Sequence, residues 1–358
     1  MSSIILTFCV IIGIILPYVI TNFLIPKIIN FGHNRNIIDL PSARKQHNKP
    51  VVRLGGLALS LGVSLSVIFV CLILYAFEIF NEFALQSNLK IIFASFLMFL
   101  IGISDDLYNL SPKIRLFFQV AVVSIVWTFG FQIENINLLF DSSLIFQLSN
   151  VLSYLFILFW VVGVTNSINW IDGLDGLAIG SVIVSSSFVT AIEIITGNYV
   201  FLILSIALLS SSLAFLKFNR YPAKVYMGDG GSYFLGSLLA CTALISSSSN
   251  FNFDSYQLNI IPFIPLLIIF LPILDMTLVI FERIKNGYSP FYPDRRHLHH
   301  KLLKLGYSHR NTVKIIYLFS ILFCSLSFFF LEFRPLYLFP ITSCIFIYLK
   351  FPKKKFKS

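Results

Sequence analysis

Long stretches without a single charge recur along this sequence, and they restrict the fold more than any other feature. Residues 1–26 and 54–77 contain no Asp, Glu, Lys or Arg. Each is long enough to cross the roughly 30 Å hydrocarbon core of a bilayer as a helix. Eleven predominantly apolar spans are predicted, at about 3–25, 54–77, 89–104, 113–131, 150–165, 177–196, 199–216, 232–248, 259–283, 312–331 and 336–350. Only 12% of the 358 residues are charged, against about 25% in a soluble domain. The expected fold is an all-α, polytopic integral membrane protein with one domain over 1–358 and no room for a soluble one. The first run lacks a basic leader and a small-residue cleavage site, so it is expected to be an uncleaved span. Five cysteines lie singly inside apolar runs and read as small core residues. The loop 132–148 alternates weakly, which suggests a hairpin.

Orientation follows from Lys and Arg. With the N-terminus outside and the C-terminus cytoplasmic, 24 of the 26 basic side chains fall on the inner side, leaving Lys90 and Arg334 outside. Orientation alone explains most of the lysines. It does not explain the six histidines or Asp39, Asp105, Asp106, Asp172, Asp175, Asp229 and Asp294, all gathered on that same side. Acidic residues hardly affect topology, so another cause is needed. Nucleic acid is not among the expected partners.

Five inner segments carry the polar residues. In Asp39–Gly56, Arg44, Lys45, His47 and Arg53 could hold phosphate, with arginine as a planar fork; a loop that only orients the chain explains any one of them equally well. Adjacent Asp105 and Asp106 repel and call for a shared cation, while Ser111-Pro112 reads as a helix cap followed by proline in the first turn. Asn166, Asn169, Asp172 and Asp175 recur every three residues with Gly173 and Gly176 among them. If they stand on a helical turn, the two aspartates share a face; Trp170 reads as an interfacial anchor. Asp229 lies amid Gly228, Gly230 and Gly231 where a span begins, although a simple helix cap would also place it there. His297, His299 and His300 stand beside Arg295 and Arg296. Zinc would want a well-spaced further ligand, and no cysteine lies on this side, so an anion suits them better. Asp275, inside the ninth span, is expected to pair with a basic group of an inner loop. Several outward-running helices start at these segments, and their free N–H groups would attract phosphate. Carboxylates, basic groups and helix starts on one face read as a phosphoryl-transfer site for a diphosphate substrate, with Mg²⁺ or Mn²⁺ on oxygen ligands.

Asp105-Asp106 with Leu110-Ser-Pro112, Asn166 to Leu177, Met227-Gly-Asp-Gly-Gly-Ser232 and Pro293-Asp-Arg-Arg-His-Leu-His-His300 resemble the polyprenyl-phosphate N-acetylhexosamine-1-phosphate transferases (glycosyltransferase family 4). That superfamily includes the phospho-N-acetylmuramoyl-pentapeptide translocase. The resemblance covers about residues 39–303. It implies a multi-pass enzyme of the bacterial inner membrane with a cytoplasmic active site. Such an enzyme moves a sugar 1-phosphate, with GlcNAc the favoured sugar, from a UDP-sugar to undecaprenyl phosphate. UMP is released with Mg²⁺, starting a lipid-linked envelope glycan such as O-antigen or teichoic acid. By motif it implies that Asp105, Asp106, Asp172 and Asp175 are the catalytic residues, with a metal and lipid-phosphate role for Asp105 and Asp106 and a substrate and metal role for Asp172 and Asp175. It further implies Mg²⁺ ligation by Asp229 and nucleotide-sugar contact by His297, His299 and His300. Arg44, His47, Arg53, Asn166, Asn169 and Arg295 are the other expected substrate-binding residues. The rivals are a muramoyl-pentapeptide translocase and, from another class, a transporter, which would put its ionisable groups at mid-membrane. The residues do not specify an oligomeric state.

Overall fold

A computed structural model describes residues 2–39, 50–137, 145–247, 257–292 and 294–328. In chain order it contains α1 (Ser2–Asn34), β1 (Ile38–Asp39), β2 (Val51–Val52), α2 (Gly55–Ala76), α3 (Glu82–Tyr108), α4 (Pro112–Thr128), β3 (Gln132–Asn137), β4 (Ile145–Gln147) and α5 (Asn150–Ile171). There follow α6 (Leu177–Thr196), α7 (Tyr199–Asn219), α8 (Gly228–Ser246), β5 (Gln257–Ile260), α9 (Phe263–Ile268), α10 (Phe270–Lys285), α11 (Leu298–Lys304) and α12 (His309–Ser327). Six of these helices, α1, α2, α3, α5, α6 and α7, are long and apolar enough to cross a membrane. The chain is a multi-pass membrane protein. Helices α4, α8, α10 and α12 coincide with further expected spans but are shorter or less apolar; the expected span 336–350 lies outside the described residues, as do Arg44 and His47.

Helix α8 is the axis of the bundle. Every residue in it is buried except Asp229, and α2, α3, α5, α6 and α7 pack around it. Lipid gives apolar helices no hydrophobic reason to associate, so close packing of small residues must hold them. A Cβ on Gly56 would lie 2.3 Å from the backbone nitrogen of Gly231. Only glycine lets α2 and α8 meet there. The approach is stitched by main-chain bonds: Gly55 and Gly56 donate to the carbonyls of Tyr226 and Met227, and Tyr226 donates to Val52.

One expectation needs correction. The ninth span is not one helix: α9 ends at Ile268 and α10 starts at Phe270. Pro272 has no N–H for the carbonyl four residues earlier. That carbonyl, Ile268, accepts instead from Ser185 Oγ at 2.7 Å and from Cys324 Sγ at 3.2 Å. In a membrane a freed carbonyl must find such partners. The fold is mostly helical, as expected, with a few short strands. The expected hairpin forms, with β3 and β4 antiparallel, but β5 joins β3 in parallel. The four described cysteines are buried and free, as expected.

Candidate active site

The site is assembled where α2, α4, α6 and α8 begin and α3 and α5 end. Ser111 caps α4 by accepting from Ile114, with Pro112 in the first turn. That cap directs Arg115 back across the end of α3, and Arg115 Nη1 donates to Asp105 Oδ2 at 2.5 Å. On the other side, Arg53 Nη2 stands 2.9 Å from Asp106 Oδ1. The aspartate pair therefore diverges, each member taking its own guanidinium.

Asp229 lies between the two arginines, with Oδ1 3.6 Å from Arg53 and Oδ2 3.5 Å from Arg115. Asn169 Nδ2 donates to Asp229 Oδ1 and to Ser232 Oγ, both at 2.9 Å, which aims the carboxylate. The Gly230 amide donates to Asp106 Oδ2 at 3.1 Å. Three carboxylates from two distant parts of the chain thus converge with two guanidiniums.

A cavity of about 360 Å³ opens beside this cluster, lined by Asp39, Arg53, Asn169, Asp172, Asp175, Tyr226, Asp229, His300 and His309 among others. Desolvation raises the Asp172 carboxyl to about 7; the Asp229 charge adds to this and Arg53 opposes it. A cation would pull it back down. Asp175 Oδ2 accepts from the Ala223 amide at 2.9 Å, and its carbonyl faces His309 Nε2 at 3.3 Å.

His299 is buried against Gly173: a Cβ on Gly173 would lie 2.3 Å from His299 Nε2. Burial pushes that imidazole down to about 3, with His300 and His297 adding to the effect. His300 is lowered too, by burial first and then by the charges of His297 and Arg295. Neutral rings at this position can serve as hydrogen-bonding groups but not as fixed cations. His297 contacts Asp275, so the expected pairing of Asp275 is present.

Several residues are not where the sequence reading put them. Asn166 is absent from the cavity lining; its amide donates to Gln119 Oε1 and to the Val162 carbonyl, each at 2.8 Å. Trp170, expected as an interfacial anchor, is half-buried at the end of α5, with Arg283 4.9 Å from its ring centre and His297 edge-on at 5.9 Å. Arg295 is exposed. The N–H groups at the starts of α2 and α8 are already taken by the carbonyls of 226–227 and by Asp106, which leaves the arginine side chains as the natural anion donors. Arg115, Tyr226 and His309 were missed as site residues; for Arg115 the usable signal was its place one turn inside the Ser111-Pro112 start.

The donor set is hard, anionic oxygen, suited to Mg²⁺ or Mn²⁺ rather than to a softer metal. Among the described residues no three carboxylates or histidines are yet arranged as a cation cage; the arginines engage the carboxylates instead. Asp229 fits a cation best, being the one partly exposed residue of α8 and holding both arginines only at long range.

This is a multi-pass membrane protein with a carboxylate and guanidinium site at one end of its helices. The profile of glycosyl transferase family 4 matches residues 88–247. The chain is 35% identical to a probable undecaprenyl-phosphate N-acetylglucosaminyl 1-phosphate transferase of Bacillus subtilis, over 80% of this chain and 75% of that one. A decaprenyl-phosphate N-acetylglucosaminephosphotransferase of Mycobacterium leprae is 33% identical over 78% and 73%. An undecaprenyl-phosphate alpha-N-acetylglucosaminyl 1-phosphate transferase of Escherichia coli is 29% identical over 81% and 75%. The chain belongs to the polyprenyl-phosphate N-acetylhexosamine-1-phosphate transferases of glycosyl transferase family 4.

Proposed function

We propose that this protein transfers N-acetylglucosamine 1-phosphate from UDP-GlcNAc to undecaprenyl phosphate, releasing UMP. The observation that carries the reading is the convergence of Asp105, Asp106 and Asp229 on Arg53 and Arg115, in a chain whose relatives named for this reaction match about four fifths of it. The site works on the cytoplasmic face of the bacterial inner membrane, as the positive-inside bias supports.

Bound Mg²⁺ or Mn²⁺ would neutralise the sugar diphosphate and the departing UMP. Asp229 would hold it, with Asp172 and one member of the Asp105–Asp106 pair completing the set. Arg53 and Arg115 would bind and orient the phosphate oxygens of the substrates. A phosphomonoester has a second pKa near about 6, so the acceptor is largely dianionic at neutral pH. Asp105 and Asp106 therefore act by positioning before they act as bases. Asp175 and Asn169 orient the groups around the cavity, and His300 and His309 face the nucleotide sugar.

Membranes given undecaprenyl phosphate and a panel of UDP-sugars, scored for UMP and lipid product, test this. UMP and a lipid-linked product from UDP-GlcNAc support it. Product from UDP-MurNAc-pentapeptide alone moves the chain to the translocase reading, and substrate flux without UMP moves it to a transporter.

A further inference from the structure

Asp275 is a buried carboxylate outside the reaction as described. It is on α10, 6% exposed, and uses both oxygens on adjacent residues of the histidine segment. Its Oδ2 is 2.8 Å from His297 Nδ1, and its Oδ1 accepts from the Leu298 amide at 2.6 Å. Lower on α10, Arg283 Nε and Nη2 donate to the two oxygens of Asp294 at 3.0 and 3.1 Å, and Arg283 also bonds the Pro290 carbonyl. Helix α10 therefore grips the segment 290–298 at two points. Only the Asp275 grip reaches an imidazole.

That imidazole faces the aspartate turn. His297 meets the edge of Trp170, two residues before Asp172, and stacks with His299, which rests on Gly173. A carboxylate beside Nδ1 holds the proton there and leaves Nε2 as the acceptor. We infer that Asp275 is a positioning residue: through His297 it sets the tautomer and location of the histidine segment against the Asp172 turn, and so governs handling of the nucleotide sugar. The inference rests on the transferase reading above.

The test uses the full chain purified in detergent and the variants Asp275→Asn, His297→Asn and the double variant. Asparagine can still accept from Leu298, but its amide would donate to Nδ1 and reverse the tautomer. Asp275→Asn is expected to lower kcat/KM for UDP-GlcNAc by about tenfold or more, with KM for undecaprenyl phosphate within about twofold and Tm little changed. In the His297→Asn background the same change should cost less than about twofold. Multiplicative losses, or equal losses on both substrates, overturn the inference. So does a His297→Asn protein with wild-type kcat/KM, whatever the folding of the Asp275 variants. If the wild type releases no UMP from any UDP-sugar, the transferase reading fails instead, and stabilisation of Tm by UDP-GlcNAc reads the same cycle without turnover.

Discussion

Arg115 donates to Asp105 across 2.5 Å while the same nitrogen lies 3.5 Å from Asp229. One guanidinium on α4 thus ties the end of α3 to the start of α8. Arg53 mirrors it on the other flank, so two cations that the protein itself supplies offset part of the charge of three carboxylates.

Arg115→Lys keeps the charge and loses the fork. Because one ammonium cannot reproduce the planar geometry, kcat/KM for UMP release should fall about 10- to 100-fold, and Arg115→Ala should be worse. Steady-state assays at saturating Mg²⁺ check this; unchanged turnover in Arg115→Ala would remove the residue from the phosphate site.

Gly173→Ala drives a methyl group into His299. The His299 ring must move, and with it the histidine segment, so activity is expected to drop about tenfold or more with little loss of helix content. Pairing it with His299→Ala should restore part of the loss. A fully active Gly173→Ala single variant would contradict the packing described.

Gly56→Ala sets a Cβ against main chain, which cannot rotate away as a side chain can. A cost of about 1–3 kcal/mol is expected for such overpacking, read as a lower Tm in detergent. Leu65→Ala, on an exposed part of the same helix, is the control and should change Tm little.

His299 also predicts a pH effect on stability. Its folded pKa lies below the ordinary value of 6.5, at about 3, so below pH 6.5 the unfolded chain takes up a proton that the folded one refuses. Stability from this group is complete above about pH 6.5 and falls as pH drops towards 3, by up to about 1.4 kcal/mol per unit. The Tm difference between wild type and His299→Gln should therefore shrink from pH 7 to pH 5. A difference independent of pH would show that His299 is not held neutral.

Much of this was legible in the sequence because a bilayer leaves few options. Charge-free runs become helices, and the Ser111-Pro112 cap and the 132–148 hairpin follow local rules. The aspartates could be placed on one face because inner and outer loops alternate. What was not legible depends on partners distant in the chain. The ninth span reads as one run, because Ser185 and Cys324, which make its break near Pro272 tolerable, lie 87 and 52 residues away from that proline by subtraction of their numbers. Asn166 shares the spacing of Asn169, yet one faces Gln119 and the other Asp229, a difference of helix face that spacing could not decide. Helix starts looked open to phosphate until the carbonyls of 226 and 227 were seen to occupy the N–H groups of Gly55 and Gly56.

The most direct trial is a Mg²⁺ titration of UMP release by wild type and Asp229→Asn, with UDP-GlcNAc and undecaprenyl phosphate fixed. Wild type should show saturable dependence on Mg²⁺, and Asp229→Asn should need at least about tenfold more metal and turn over far more slowly. Equal Mg²⁺ dependence and equal turnover in the two proteins would mean that Asp229 is not where the arginines, the aspartates and the cation meet.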